Sequence, residues 1–539
     1  MQDSEREAFT PNPTFLPDKF KGSTDRPPLQ PSVRDIYPQI IASCFAHLLV
    51  IQAGINMAYS AILLPQLMSP DSTLRVTTNE ASWIASLMAI STPVGTLLCG
   101  PFMDLLGRKV FSLVTVVPLA ASWFILTFTP NHVWFIYAAR VLAGFGGGLT
   151  TVSLVYISEI SSASWRPMLL CLNSVFVSLG ILLTNVLGVL LPWRVVSLIC
   201  GCITLASGAA ILLYNPESPY WLLTFRPDST RHFDEAKRSL RYLYNNQQMF
   251  TAEWDRLVKV SKAKRQEQEA AQEGRRNGLV GNVRHFSREF TKREVILPFS
   301  LLLTIFFFQQ LSGTYPIIFY AVQVFQSIGG DFGAGLNADS ATVILGVIRF
   351  SVSLLTTSLS RSFGRRFLLI VSGVGMTISS FAAALYFHRT CVFKSVFDVT
   401  ESSFNSTFLN TTTEMNVTST LSPSTTGSSL LGLVFILVFV IMSSIGFLII
   451  PWTLVGEILP VTVRATGGGI VFSYAYILMF GIVKVFPYML SVLKISGLFY
   501  FFCFTSFANV VIVYFFLPET LGKSFEEIEK SFMKTHNNS

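Results

Sequence analysis

The sequence predicts an all-α membrane protein, two bundles of six transmembrane helices joined by a polar, helix-forming linker. Three observations carry this. Of 539 residues, 51% are hydrophobic and only 13% charged, whereas soluble domains carry about 25% charged residues. Twelve apolar stretches approach or exceed the roughly 20 residues a helix needs to cross a bilayer. A long basic segment, 215–294, divides those stretches six and six.

Taken in chain order, residues 1–38 are polar and Pro-rich and contain no apolar signal region, so a disordered arm is expected there. The first six spans are expected at 40–64, 81–103, 110–129, 134–157, 168–191 and 194–214, forming a bundle over 39–214. The second six are expected at 295–321, 340–360, 367–388, 430–454, 465–489 and 496–517, forming a bundle over 295–517. Residues 518–539 are a short polar tail. The linker 215–294 includes Phe233–Tyr244, whose apolar residues recur at helical spacing. Amphipathic helices joining the two bundles follow from that pattern.

Orientation follows from Lys and Arg. The segment 215–294 holds 16 of them, among them Lys262, Lys264, Arg265, Arg275 and Arg276. Short loops on the same side hold Arg108, Lys109, Arg166, Arg365, Arg366 and Arg464. Both termini and the linker are therefore expected in the cytoplasm. The net charge of +8 does not point to nucleic acid, because the bases lie in loops between apolar spans. The opposite loop, 389–429, holds three N-glycosylation acceptor sequences, at Asn405, Asn410 and Asn416. They fit an outer loop of a plasma-membrane protein.

Most of the seven cysteines sit inside apolar runs, and only Cys391 falls in an expected outer loop, so no extracellular disulfide is expected. No Cys/His cluster offers a metal site. No Gly-rich phosphate loop or nucleophile constellation appears. The expectation is a protein with no cofactor, no metal and no catalytic residues, working as a monomer in the lipid bilayer.

Two loops repeat at corresponding places. After the second span stands Gly100-Pro-Phe-Met-Asp104-Leu-Leu-Gly107-Arg108-Lys109. After the eighth stands Arg361-Ser-Phe-Gly364-Arg365-Arg366. The glycines permit a tight turn, and Asp104 is suited to a neighbouring helix N-terminus. A plain basic loop explains the arginines but not the glycine and aspartate spacing. Arg361 stands in the second copy where the first leads one to expect an acid.

Further motifs run along the chain: Arg140-x3-Gly144-x-Gly146, Tyr156-Ile-Ser-Glu159, Pro216-Glu-Ser-Pro219, Gln309-Gln310-Leu-Ser-Gly313, Pro451-Trp452-x3-Gly456-Glu457 through Arg464, and Pro518-Glu-Thr-Leu-Gly522. With these, the chain resembles a sugar porter of the major facilitator superfamily. It is most similar to the insect facilitated trehalose transporters and the related glucose transporters with a long, glycosylated ninth loop. Gly54-x3-Ala58-Tyr59 and Lys484 agree with that subgroup. The resemblance implies two six-helix bundles about a central cavity, a small-molecule sugar substrate and transport by alternating access. It also implies cytoplasmic gating ion pairs drawn from Asp104, Arg108, Arg140, Glu159, Arg166, Glu217, Arg365, Glu457, Arg464 and Glu519. Of these, Glu159, Arg166, Glu217, Glu457, Arg464 and Glu519 are expected to hold the halves together when the cavity opens outward, and Arg140, near a cytoplasmic end, is expected to have a structural role.

None of the 31 acids falls deep inside an expected span. Proton symport needs a titratable group on the pathway, and His47 is the lone candidate in the first span, so facilitated diffusion is expected. By the resemblance, Gln309, Gln310 and Trp452 contact sugar; amides supply the paired donors and acceptors that a polyol needs. The alternative for a Gln pair is interhelical glue. Other positions depart from the family: Tyr315 and Arg349 replace Asn residues, Ala475 and Tyr476 replace an Asn-Trp pair, and Ser174 replaces a Gln. Arg349, Ser353, Thr356, Thr357 and Ser360 share one helix face, expected to line the cavity. An arginine at mid-membrane costs about 2.5–3.5 kcal/mol on insertion scales. It implies either an anionic substrate or a hydrated side chain donating to neutral sugar oxygens. A non-transporting sensor is a third reading.

Overall fold

The computed structural model describes residues 32–70, 72, 74–130, 132, 133–162, 164–226, 230–274, 292–329, 331–332, 336–360, 363–408, 425–460, 463–521, 523, 527, 531 and 532. The side chains of 33, 230, 264–274, 391–408, 425–429, 464 and 465 lie outside that description. Among the described residues the elements are helices, with one isolated bridge between Asp331 and Asn337.

The first half contains α1 (Val33–Met68), α2 (Thr78–Leu106), α3 (Arg108–Thr127), α4 (Val133–Leu149) with α5 (Thr151–Ile160), α6 (Arg166–Leu190) and α7 (Trp193–Tyr214). The linker contributes α8 (Pro219–Phe225), α9 (Thr230–Leu243) and α10 (Gln247–Gly274). The second half contains α11 (Arg293–Leu311), α12 (Thr314–Phe319), α13 (Ala321–Ser327), α14 (Ala338–Leu359), α15 (Arg365–Phe408), α16 (Thr425–Ile445), α17 (Ile450–Ile458) and α18 (Arg464–Phe516).

Helix α18 has 53 residues. At about 1.5 Å per residue it is about 80 Å long, more than twice the roughly 30 Å hydrocarbon core. Lys494, at φ 55° and ψ 176°, breaks it into two crossings. Eleven described helical runs are long and apolar enough to cross a membrane when α18 counts once. Divided at Lys494, they become the expected twelve.

Three expected spans are not single helices. The fourth is interrupted at Thr150, the seventh ends at Leu311 and resumes at Thr314, and the tenth is turned at 446–449 before α17. The seventh-span break has a local cause: Gly313 sits at φ 85°, which glycine adopts without steric cost. Such breaks survive at membrane depth only where protein or a cavity supplies partners for the freed backbone. Gln309 does so here, donating from Nε2 to the Phe447 carbonyl at 2.6 Å and pinning the tenth-span turn.

Two other boundaries move. Helix α1 starts inside the expected arm, because Asp35 accepts the Ser32 backbone N–H at 3.0 Å and caps the helix start. Helix α15 runs to Phe408, into the expected loop 389–429. Asn405 therefore falls on helical backbone, while Asn410, Asn416 and Arg361 lie outside the described residues.

The face bearing the linker is called the linker face, and the other the far face. Helices α8–α10 lie on the linker face, as their periodicity predicts. Ala236, Leu240 and Leu243 of α9, with Phe250 and Leu257 of α10, bury against Ile157, Ile160 and Trp221. The halves meet along two seams, α2 against α18 and α6 against α14, and α1 packs on α12 and α13.

Candidate functional site: a buried polar and aromatic cluster between charged loops

The repeated loops build matching charged clusters on the linker face. In the first half, Arg108 opens α3. Its Nη2 meets Glu159 at 2.7 Å and its Nη1 meets Asp104 at 3.1 Å. Glu217 accepts the backbone N–H groups of Arg108 and Lys109, at 2.8 and 3.1 Å. In the second half, Arg365 Nε donates to Glu457 at 3.1 Å. Glu519 accepts the N–H groups of Arg365 and Arg366, at 2.8 and 3.2 Å. The hydroxyls of Ser218 and Thr520 donate to Glu159 and Glu457 respectively. Burial pushes the Glu217 carboxyl up, and three backbone N–H groups and the Arg108 charge offset this only in part.

This geometry corrects two expectations. The acid at the N-terminus of α3 is Glu217, while Asp104, 43% exposed, pairs with Arg108 one turn away. Among the described residues the ion pairs of these clusters do not hold the bundles together: each closes within its own half. Arg166 Nη2 donates to the Ser161 carbonyl at 3.1 Å, tying the end of α5 to the start of α6. The Arg464 side chain lies outside the described residues.

Arg140 is a third correction. It sits in the early turns of α4, toward the far face, and is fully buried. Its Nε donates to the Ile84 carbonyl at 3.0 Å. Its Nη2 donates to the Asn56 carbonyl at 3.1 Å and to Ser60 Oγ at 2.6 Å. A planar fork that reaches two other helices is a use for which Arg suits better than Lys. Arg140 thus has the structural role expected of it, as a tie among α1, α2 and α4, but it lies apart from the linker-face charge clusters.

The central constellation comes from the broken spans. Trp452, near the start of α17, stacks on Phe472 at 5.4 Å, meets Tyr476 at 5.5 Å and takes the edge of Phe306 at 5.0 Å. Its Nε1 donates to Tyr315 Oη at 3.1 Å. Tyr315 lies in the α12 turn that Gly313 starts, and the Arg349 guanidinium of α14 lies within its electrostatic reach. Gln310, one turn from Phe306, is fully buried, with both amide atoms unpartnered. Gln309 Oε1 and Arg349 Nε and Nη1 are also buried without partners. The structure thus gathers Gln309, Gln310, Tyr315, Arg349, Trp452 and Tyr476 at the heart of the second half. The sequence reading did not anticipate Phe306 and Phe472 in the aromatic wall. For Phe306 the available signal was its spacing of four before Gln310.

Ser174 is half-buried on the α6–α14 seam. One turn to either side, Cys171 meets Ser360 at 3.4 Å and Ser178 meets Ser353 at 2.8 Å. The polar stripe on α14 is buried as expected, but it is spent differently along its length. Ser353, Thr357 and Ser360 serve the seam with α6, Thr356 reaches the Ser444 carbonyl, and Arg349 alone keeps unpartnered donors.

A family model described as "Sugar (and other) transporter" matches residues 44–532. The chain belongs to this family of membrane transporters. Its members are carriers, not enzymes, so the sugar-porter resemblance is borne out. The chain is similar to a protein named facilitated trehalose transporter Tret1 from Polypedilum vanderplanki, 29% identical over 503 residues, covering 92% of this chain and 88% of that one. It is also 30% identical over 501 residues to a protein of the same name from Drosophila mojavensis, covering 92% of this chain and 52% of the relative, so it spans about half of that longer chain. Among solved structures, the proton:xylose symporter XylE bound to 6-bromo-6-deoxy-D-glucose superposes with a TM-score of 0.68 at 18% identity, over 92% of this chain and 100% of that chain. The partially occluded inward-open form of the xylose transporter XylE from E. coli gives 0.65 at 18% identity, over 91% and 100%. They establish the major facilitator fold.

Proposed function

We propose that this protein carries a neutral sugar, trehalose or a hexose, down its gradient across the plasma membrane by alternating access, working as a monomer. The carrying observation is that Arg349 of α14 and Gln310, one helical turn from Phe306 of the aromatic wall around Trp452, keep buried hydrogen-bonding atoms unpartnered. Leaving such atoms dry costs free energy, and a polyol offers both donors and acceptors to meet them. The relatives named as facilitated trehalose transporters support the substrate class. The linker face is cytoplasmic in this reading, since the basic residues collect there, and Asn405, Asn410 and Asn416 carry glycans on the outer loop. The divisions 39–214, 215–294 and 295–517 then act as two rocking bundles and their connector. The tightly paired charge clusters keep each bundle rigid while it moves.

Uptake of radiolabelled trehalose and glucose into oocytes tests the reading. Saturable uptake of at least one sugar without an imposed pH gradient is expected. Removing one well-used polar contact by Gln310→Ala is expected to raise KM about five- to thirtyfold, the equivalent of about 1–2 kcal/mol. Arg349→Asn is expected to keep neutral-sugar uptake with altered KM. Uptake of neither sugar, or uptake that strictly required a proton gradient, would contradict the proposal. Endoglycosidase treatment that left the gel mobility unchanged would remove the glycans from it.

A further inference from the structure

Lys484 takes no part in the site described above. It lies on the far-face portion of α18, yet its ammonium reaches out of the second half into the first. Nζ donates to Ser82 Oγ at 2.7 Å and to Asn79 Oδ1 at 3.1 Å, and it stands 4.0 Å from the centre of the Trp83 ring. All three partners belong to the first turns of α2. With a longer contact to the Asn79 carbonyl at 3.5 Å, these hydrogen bonds take up the three ammonium donors, and the charge rests on an indole face, the favoured ring for a cation.

The surroundings give this contact a purpose. A crevice of about 340 Å³ lies between the halves at the far face, lined by Met68, Thr78 and Ala81 of the first half and Tyr320, Gln323 and Pro487 of the second. Tyr320 is itself fixed to α18: its hydroxyl donates to the Val483 carbonyl at 3.0 Å and its ring stacks on Phe486 at 5.3 Å. Lys484 thus ties this wall to α2, alongside the Trp83–Phe480 ring contact at 6.0 Å. The linker-face ion pairs named above close within single halves, whereas the Lys484 contacts span both. Among the described residues its partners are a hydroxyl, an amide and an indole, with no carboxylate, so no full ion pair has to be broken when the halves part.

We propose that Lys484 is a far-face clasp, a positioning residue that stabilises the state in which the far side of the cavity is closed. Separation of the halves at that face breaks these hydrogen bonds and the cation–π contact together. The proposal rests on the alternating-access reading, but its test needs no sugar.

The test uses the full chain in lipid nanodiscs carrying Ala81→Cys, with the rate of maleimide labelling measured against the parent chain to subtract native thiols. Ala81 is 3% exposed, so the thiol is protected while the far face is closed. Adding Lys484→Met is expected to speed labelling about fivefold or more, the factor that goes with losing a contact of this size. Lys484→Arg, which keeps the charge and the ring contact, is expected to restore the slow rate. Asn79→Ala with Ser82→Ala is expected to move labelling in the same direction as Lys484→Met, and it stands in if that variant fails to fold. Labelling unchanged in a monodisperse, folded variant overturns the clasp. Faster labelling in a chain that takes up no sugar leaves the clasp standing and defeats the transport reading instead.

Discussion

Glu217 and Glu519 occupy the same place in two copies of one device: each lays its carboxylate across the first N–H groups of a helix, with the leading bond at 2.8 Å in both. Each is preceded by a proline and faces a glycine, Gly107 or Gly364, where a Cβ would overlap the carboxylate. Chain position separates the two sites by half the molecule, so the match reflects an internal repeat whose charge, helix dipole and turn were kept together.

Glu519→Ala is expected to cost about 1.5–3 kcal/mol, because it removes hydrogen bonds to a charged acceptor. Gly364→Ala should destabilise by forcing that carboxylate away. Since both changes strike one contact, the double variant should lose less than the sum. Thermal unfolding of the detergent-solubilised protein, followed in a double-mutant cycle, checks this; additive losses would contradict it.

Tyr315→Phe removes the oxygen that accepts the Trp452 indole N–H. The packing of the ring remains, so stability should fall by only about 1 kcal/mol. The freed indole donor then becomes available to a sugar hydroxyl. A lower KM for the transported sugar is expected in uptake titrations, while a raised KM would mean that the tyrosine hydroxyl itself serves the substrate.

Arg140→Lys keeps the charge but loses the planar fork. At least one bond to Ile84, Asn56 or Ser60 must go, at about 1.5–3 kcal/mol for a hydrogen bond from a charged donor. A clear fall in melting temperature is expected, with little change in KM for the molecules that remain folded. An unaltered melting temperature would show that the tie among α1, α2 and α4 is dispensable.

Lys494→Gly should raise the melting temperature. Lys494 is held at φ 55° and ψ 176°, a region that costs a residue with a Cβ about 1–3 kcal/mol and glycine little. A drop on substitution would mean that the lysine side chain contributes more than its backbone costs.

Much of the architecture was legible in the sequence because it rests on composition and on local repeats. Twelve apolar stretches, the basic linker and the paired Gly/Arg loops each survive in the structure. What escaped was long-range. A hydropathy average runs straight through Ser312–Gly313 and through 446–449, since the residues flanking those breaks are as apolar as a continuous helix. The partner of Arg108 N–H is Glu217, more than a hundred positions away, and spacing alone favoured nearby Asp104. Arg140 gave the same difficulty, for its acceptors are backbone carbonyls of other helices, which carry no side-chain signature. At the cavity, the motif singled out Gln309, Gln310 and Trp452, yet only the fold shows that Tyr315 has taken up the indole donor.

Gln309 and Gln310 are neighbours in one motif with opposite obligations. The first spends its amide N–H on the Phe447 carbonyl, and the second spends nothing. An alanine scan of the site would score both as weakened, one because the wall has loosened and the other because the guest has lost its handhold. Heat would separate them: a lesion at Gln309 should betray itself before any sugar is added.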